Sequence, residues 1–350
     1  MQPKIAIVIL NYNGRDYLRK FLPSLLRYST GHRIIVADNA STDDSIEVLS
    51  QEFPEVELLI LEQNFGFAGG YNKALQQIKA NYYLLLNSDV EVTEGWLEPM
   101  AKLLDSNPQI AACQPKILSY HKPAYFEYAG AAGGFLDSLA YPFCRGRIFD
   151  TLEKNEGQYN SNIPVFWASG ACFLIRAEIF HQMGGFDERF FAHMEEIDLC
   201  WRLHTAGYQV YACGQSSVYH VGGGTLPKNN PRKTFLNFRN GLWMLMKNSS
   251  YSALGWKLPA RIILDWLAAL HFLQKGQTKD GAAVLKAHVQ LFSLFFSPKQ
   301  KRITEKKVKG EKAPLFKGSI LWLYYIRRVR KFRQLGEKRK NIGKIQNASV

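Results

Sequence analysis

The chain has 350 residues, 47% of them hydrophobic, and a formal net charge of +14. That is enough apolar sequence for at least one full core and an accessory region, and it excludes a disordered protein. The charge is local: from Lys299 onward 17 Lys and Arg face three acids, whereas residues 1–298 carry 27 of each sign. The N-terminal half alternates near-continuous apolar runs, "KIAIVIL" (4–10), "RIIVAD" (33–38), "VELLIL" (56–61) and "YYLLLN" (82–87), with helix-like segments. Such runs are expected of strands covered on both faces, and the βαβα rhythm predicts a mostly parallel sheet flanked by helices. Past residue 110, "IAACQPKIL" reads as a strand and 120–165 as a Gly- and aromatic-rich excursion. "VFWASGACFLIR" (165–176) returns as a strand, a loop runs into a helix at "HMEEIDLCWR", and "YQVYACGQSSVYH" reads as a short strand pair. Gly222-Gly223-Gly224 marks a boundary, followed by helices at about 232–249, 254–273 and 280–296 and then the basic tail. The domains expected are 1–228, 229–298 and 299–350.

The five cysteines, Cys113, Cys144, Cys172, Cys200 and Cys213, are dispersed without a C-x-x-C pair or a secretory signal ahead of them. They read as reduced cytosolic thiols, with neither a disulfide framework nor a zinc site indicated.

Ligands of parallel α/β sheets bind beyond the carboxyl ends of the strands. Every predicted strand there ends in polar, turn-forming residues: Asn11-Tyr12-Asn13-Gly14, Asp38-Asn39-Ala40-Ser41, Gln63-Asn64-Phe65-Gly66 and Asn87-Ser88-Asp89. Each set is compatible with a plain turn. Asn87 and Asp89 also offer hard oxygen ligands to Mg²⁺ or Mn²⁺, ions that take one or two carboxylates and leave the remaining positions to water and phosphates. Asp38 is placed either in a turn, with Thr42 or Asp43 capping the next helix, or to accept hydrogen bonds from a ribose or a base. Glu195, Glu196 and Asp198 open a helix, where acids complement the dipole. The aromatic approach "GGFDERFFAHM" would also hold one of them in a partly desolvated cleft, raising its basicity. His220 ends a strand ahead of the glycines, as a core residue or a ligand.

Together these pieces resemble the family 2 glycosyltransferases of the GT-A fold, in the branch that includes bacterial rhamnosyltransferases and galactofuranosyltransferases. The resemblance covers about residues 3–245. It rests on "VILNYNG", "VADNASTDDS", "NFGFAGGYNKAL", "LLLNSDV", "ASGACFLIR" and "GGFDERFFAHMEEIDLCWRLHTAGY" in order and approximate spacing. It implies a Rossmann-like nucleotide-sugar domain in which Asn11, Asp38, Asn64, Gly66, Gly69, Asn72, Asn87 and Ser88 lie against the nucleotide. Asn87-Ser88-Asp89 then stands at the D-x-D metal motif, with Asp89 the anionic ligand, Asn87 in place of the first aspartate and His220 completing the site. Glu196 corresponds to the general base, with glutamate where the motif usually has aspartate, and Glu195 and Asp198 are next in line. No Q-x-x-R-W follows, as processive synthases of the family carry, and "NFRNGLW" is no substitute, so single-sugar transfer is expected. A nucleoside diphosphate is a weak base, so a cation can replace the glycosidase acid and one carboxylate suffices; inversion follows.

No stretch reaches the 18 or more uninterrupted apolar residues of a spanning helix. "LPARIILDWLAALHFL" and "VLKAHVQLFSLFF" carry apolar residues at helical spacing, for packing on the catalytic domain or lying in a membrane interface. "ILWLYYIRRVRKFR" sets Trp and Tyr beside Arg and Lys, the mix of an anionic membrane surface. No nucleic-acid-binding module accompanies the bases. The expectation is a metal-dependent (Mg²⁺ or Mn²⁺) inverting transferase, peripheral at the cytoplasmic face of the inner membrane. It moves one sugar, rhamnose as first choice, from a UDP-sugar or dTDP-sugar donor to a polyprenyl-linked or polysaccharide acceptor of the cell envelope. The alternatives are an inactive membrane-attached nucleotide-sugar-binding module and a nucleotidyltransferase. The latter would want a Gly-, Arg- and Lys-containing loop after the first strand.

Overall fold

The computed structural model describes residues 4–222, 230–295 and 313–337. The first half alternates as the apolar runs predict: β1 (Ile5–Asn11), α1 (Arg15–Tyr28), β2 (Arg33–Asp38), α2 (Ser45–Glu52), β3 (Glu57–Ile60), α3 (Gly66–Leu75) and β4 (Tyr82–Asn87). The strands line up in parallel in the order β3-β2-β1-β4. Alternate side chains enter two cores. Ala6, Val8 and Leu85 meet Tyr71 and Leu75 of α3, whereas Ile7, Ile9, Leu84 and Leu86 join the core of Leu18 and Leu22 of α1. A strand buried on both faces has no polar side to show, which is why its sequence reads as a continuous run. The exception is β3 at the sheet edge, where Ile60 is 59% exposed, so "VELLIL" is covered less than its sequence predicts.

After β5 (Val90–Val92), α4 (Leu97–Ser106) and β6 (Ile110–Ser119) the chain leaves the main sheet. The Gly- and aromatic-rich excursion folds as a small antiparallel sheet of β7 (Gly134–Leu136), β8 (Pro142–Cys144), β9 (Arg147–Ile148) and β10 (Thr151–Leu152). Residues 165–176 are not one strand: β11 (Ile163–Val165) and β12 (Cys172–Arg176) are separated by the Ala168-Ser169-Gly170 turn. Short α5 (Ala177–Gln182) and α6 (Glu195–Thr205) follow. The predicted strand pair at 208–220 is instead one strand, β13 (Gln209–His220), parallel to β6 with an irregularity between Cys213 and Ser217. The main sheet runs β11-β13-β6-β12-β4-β1-β2-β3, with β5 beside β13. All five cysteines are buried free thiols.

Helices α7 (Pro231–Asn248), α8 (Tyr251–Gln274) and α9 (Thr278–Phe295) form the predicted helical appendage. It is anchored through α8: Arg261 Nη1 donates to Leu139 O (2.9 Å), its guanidinium lies 3.7 Å from the centroid of the Tyr141 ring, and Tyr141 OH donates to Asp265 (3.1 Å). The same turn receives the tail, since Ile320 N donates to Asp137 Oδ2 and Phe316 N to Leu136 O, both at 2.9 Å. Phe332 packs on Phe135 and Phe143. Part of "ILWLYYIRRVRKFR" is thus protein-facing: Leu323 and Tyr324 are buried, whereas Trp322, Tyr325 and Ile326 are exposed. Gly223, Gly224 and the tail segments 299–312 and 338–350 lie outside the described residues.

Candidate active site at the carboxyl edge of the sheet

Register sets the site. Leu10 pairs with Asn87 and Asn11 with Asp38, so β1, β2 and β4 end level with one another. Asp38 is buried and fully engaged. It accepts from Asn11 Nδ2 (2.9 Å), Ser41 Oγ (2.6 Å) and Ser41 N (2.8 Å). Its neighbour Asn11 keeps a buried Oδ1 without a partner, and a Cβ at Gly14 would collide with that oxygen and close on Ser88 Oγ. Asn64 Oδ1 takes Asn39 Nδ2 (3.0 Å) and Gly66 N (2.9 Å). Gly66 adopts φ +71°, and the Phe191 ring fills the space a Cβ would need. Gly69 lies against the Phe65 side chain. Asn72 clamps the loop ahead of α6, donating to Phe186 O (2.9 Å) and Glu188 (3.1 Å) and accepting from Phe186 N (2.9 Å).

At the next strand end Asp89 Oδ1 lies 3.0 Å from His220 Nε2, brought together because β5 pairs His220 with Val90. On the far side of the ring, His220 Nδ1 lies 3.2 Å from Glu127 Oε2. All three side chains are more than nine-tenths buried. Burial alone would lower the His220 pKa, but hydrogen bonds to Asp89 and Glu127 raise it to about 10. The same imidazolium holds both carboxylates below their ordinary range against the opposing pull of burial. With protons on both ring nitrogens, the Asn87 amide 3.4 Å from Nε2 is satisfied only with its oxygen turned to the ring. Among the described residues no three His, Cys, Asp or Glu side chains converge on one point. Glu127 sits behind the imidazole, so the converging donors are Asp89, His220 and the Asn87 amide. Sequence reading missed Glu127, a single acid among aromatics in a segment with no periodicity.

The acids of α6 divide. Glu195 and Glu196 each carry a buried Oε2 without a partner. Burial, then the charge of Glu196, pushes Glu195 well above the carboxylate range, and burial raises Glu196 to about 7. Asp198 is instead fully engaged, by Arg202 Nε (2.9 Å), Lys247 Nζ (2.7 Å) and Asn248 Nδ2 (2.8 Å). This corrects its expected place among the catalytic acids, since its charge is neutralised where it stands. The Ala168–Ala171 turn connects the two corners: Asn87 N donates to Ala171 O (3.0 Å), and the Glu196 Cβ lies 4.0 Å from where a Cβ on Gly170 would be.

Comparison with known proteins identifies the family and the fold. The model of glycosyl transferase family 2 matches residues 6–184. The chain is 28% identical over 236 residues to the N-acetylglucosaminyl-diphospho-decaprenol L-rhamnosyltransferase of Mycobacterium tuberculosis, covering 63% of this chain and 77% of that one. It is 26% identical over 216 residues to the rhamnosyltransferase WbbL of Escherichia coli, covering 59% and 79%. Among solved structures it is similar to GalNAc-T7 bound to UDP, GalNAc and Mn²⁺, with TM-score 0.55, 14% identity and 70% of this chain covered but 48% of that one. It is also similar to the mannosyltransferase PcManGT of Pyrobaculum calidifontis bound to GDP-Man and Mn²⁺, with TM-score 0.51, 13% identity and coverage of 83% and 88%. The chain belongs to glycosyl transferase family 2, and is a glycosyltransferase with the GT-A fold.

Proposed function

We propose that the protein transfers a single sugar, rhamnose as first choice, from a pyrimidine nucleoside diphosphate to a hydroxyl of a polyprenyl-linked cell-envelope glycan, with inversion and with Mg²⁺ or Mn²⁺. The observation that carries this is an unpartnered buried carboxylate, Glu196, beside the same turn that accepts from Asn87 N next to the Asp89–His220 corner. The relatives' names supply the sugar and the diphospho-polyprenol class of acceptor.

The donor set fits the cation. Asp89, His220 and the Asn87 amide oxygen are the hard oxygen and imidazole donors that would hold Mg²⁺ or Mn²⁺. One carboxylate, one imidazole and an amide oxygen leave positions for a diphosphate. A cation held there would neutralise the charge growing on the departing diphosphate. The remaining chemistry belongs to the chain. Asp89 and His220 would hold that cation at the diphosphate end once His220 gives up its Nε2 proton, with Glu127 keeping the Nδ1 proton so that the Nε2 lone pair faces the corner. Glu196 takes the proton of the acceptor hydroxyl as its oxygen bonds to the anomeric carbon and the carbon–phosphate-oxygen bond breaks. Its raised basicity suits that transfer near neutral pH. Asn11, with its open Oδ1, is the acceptor best placed for a base N–H.

We assign the acceptor's lipid surface to α8 and α9. Ile263 (60% exposed), Trp266, Leu267 and Leu270 form an outward stripe with Val289 of α9, while the single acid of α8, Asp265, is buried. Among the described residues no helix is long and apolar enough to cross a membrane. An apolar stripe without exposed acid suits an interfacial position on anionic lipid. Ile263→Glu with Leu270→Glu should abolish co-sedimentation with phosphatidylglycerol vesicles. Unchanged sedimentation of this variant would remove the assignment.

The decisive test of the site is calorimetric titration with UDP, dTDP and GDP, each with Mn²⁺ or Mg²⁺ and again with chelator. One pyrimidine diphosphate should bind only with metal, and Asp89→Ala should abolish that binding. If no diphosphate binds with metal present, the chain is an inactive module on a transferase fold.

A further inference from the structure

The loop entering α6 is held in a conformation that its own residues disfavour. Phe191 (φ 63°), His193 (φ 71°) and Met194 (φ 74°) all occupy the left-handed region that glycine favours, and Glu195 and Glu196 follow at once. Strained backbone of this kind persists only where its surroundings over-determine it.

Helix α7 supplies that constraint. Asn240, wholly buried, donates through Nδ2 to the carbonyls of Phe190 (3.0 Å), Ala192 (2.8 Å) and His193 (2.8 Å). Arg239 donates through Nη2 to Arg189 O (3.0 Å) and Phe190 O (2.9 Å). Its Nε donates to Asn240 Oδ1 (2.8 Å), which fixes which way the amide faces. From the opposite side, Phe67 N and Ala68 N of α3 donate to Phe191 O (2.7 and 3.2 Å). The carbonyls of the strained turn are therefore gripped from two directions, one of them outside the segment that the family model matches.

We infer that Asn240, with Arg239 setting its amide, is a positioning residue for sugar transfer: it fixes the turn that aims the carboxylate of Glu196 while touching neither substrate. The inference rests on Glu196 as the base. A base displaced by an ångström loses a large part of its advantage even when both substrates still bind. Removing the grip should therefore lower turnover and leave the nucleotide end untouched.

The test uses the full chain with dTDP-rhamnose and UDP-sugars, read as metal-dependent release of the nucleoside diphosphate with a polyprenyl-diphosphate N-acetylglucosamine acceptor and with water alone. Asn240→Ala and the charge-conserving Arg239→Lys should each lower kcat about 10–100-fold. The metal-dependent affinity for the diphosphate should stay within about twofold, and the acid limb of the pH–rate profile should shift as water reaches the carboxylate. Wild-type turnover in either folded variant, or a loss of diphosphate affinity matching the loss of turnover, would overturn the inference. So would failure of both variants to fold, which would make the pair a structural support only. Glu196→Gln measured in parallel separates the two readings: if it retains turnover, the base assignment fails. If it alone loses turnover, only the positioning role fails.

Discussion

Two groups of buried acids lie within twelve residues of each other and meet opposite fates. Asp187 and Asp198 share Lys247 Nζ (2.9 and 2.7 Å), and each has its own arginine, Arg189 (2.7 Å) and Arg202 (2.9 Å). Burial works against ionisation of Asp187, yet Arg189 and Lys247 hold its pKa far below the usual carboxylate range. Glu195 and Glu196, on the first turn of the same helix, keep an oxygen each that meets nothing, and burial drives their basicity up. A compensated carboxylate is a poor proton acceptor and a good structural tie. An uncompensated one costs stability and is retained where it does chemistry. On this difference rests our reading of the first group as structural and our proposal of Glu196 for proton transfer.

The largest expected effect that would break this comparison is on stability. Asp198→Ala leaves Arg202 and Lys247 buried without their shared carboxylate and should cost about 3–5 kcal/mol, measured by urea unfolding. A loss below about 1 kcal/mol would show that the network carries little. The second effect is on pH. The base works only when deprotonated, so kcat/KM should fall about tenfold per pH unit below the raised Glu196 value and level off above it. Activity that is flat from pH 5 to 8 would place the base elsewhere. A further effect concerns His220. Its folded pKa is raised from 6.5 to about 10, so the stability it contributes is complete below about pH 6.5 and is lost as pH rises toward 10. Thermal melts of metal-free protein should show that alkaline decline, and His220→Gln should remove it.

The sheet, and the strand edge where the candidate residues gather, were legible because short-range rules govern them. Apolar runs such as "LLLN" declare strands covered on both faces, and polar strand ends are confined to one edge by parallel pairing. Glu195, Glu196, Asp89 and His220 all lie at that edge. What the sequence concealed depends on partners far along the chain. Asp198 looked like its neighbours until Lys247 and Asn248, some fifty residues on, were seen to engage it. Glu127 has no local signal, and its role exists only because β13 delivers His220 beside it. By sequence Asp38 suits a turn as well as a ribose or base contact, and only the fold reveals that Asn11 and Ser41 engage its oxygens. "NFRNGLW" was noted for the motif it lacks, whereas its Arg239 and Asn240 grip the α6 loop.

The central claim is that Glu196 is the base, and the most direct measurement is the turnover of Glu196→Gln beside its affinity for the nucleoside diphosphate with Mn²⁺. The exchange keeps the shape and removes the proton acceptor. The account predicts turnover lower by about 10²–10⁴-fold with diphosphate affinity within about twofold of the parent. Near-normal turnover would contradict it and pass the role to Glu195.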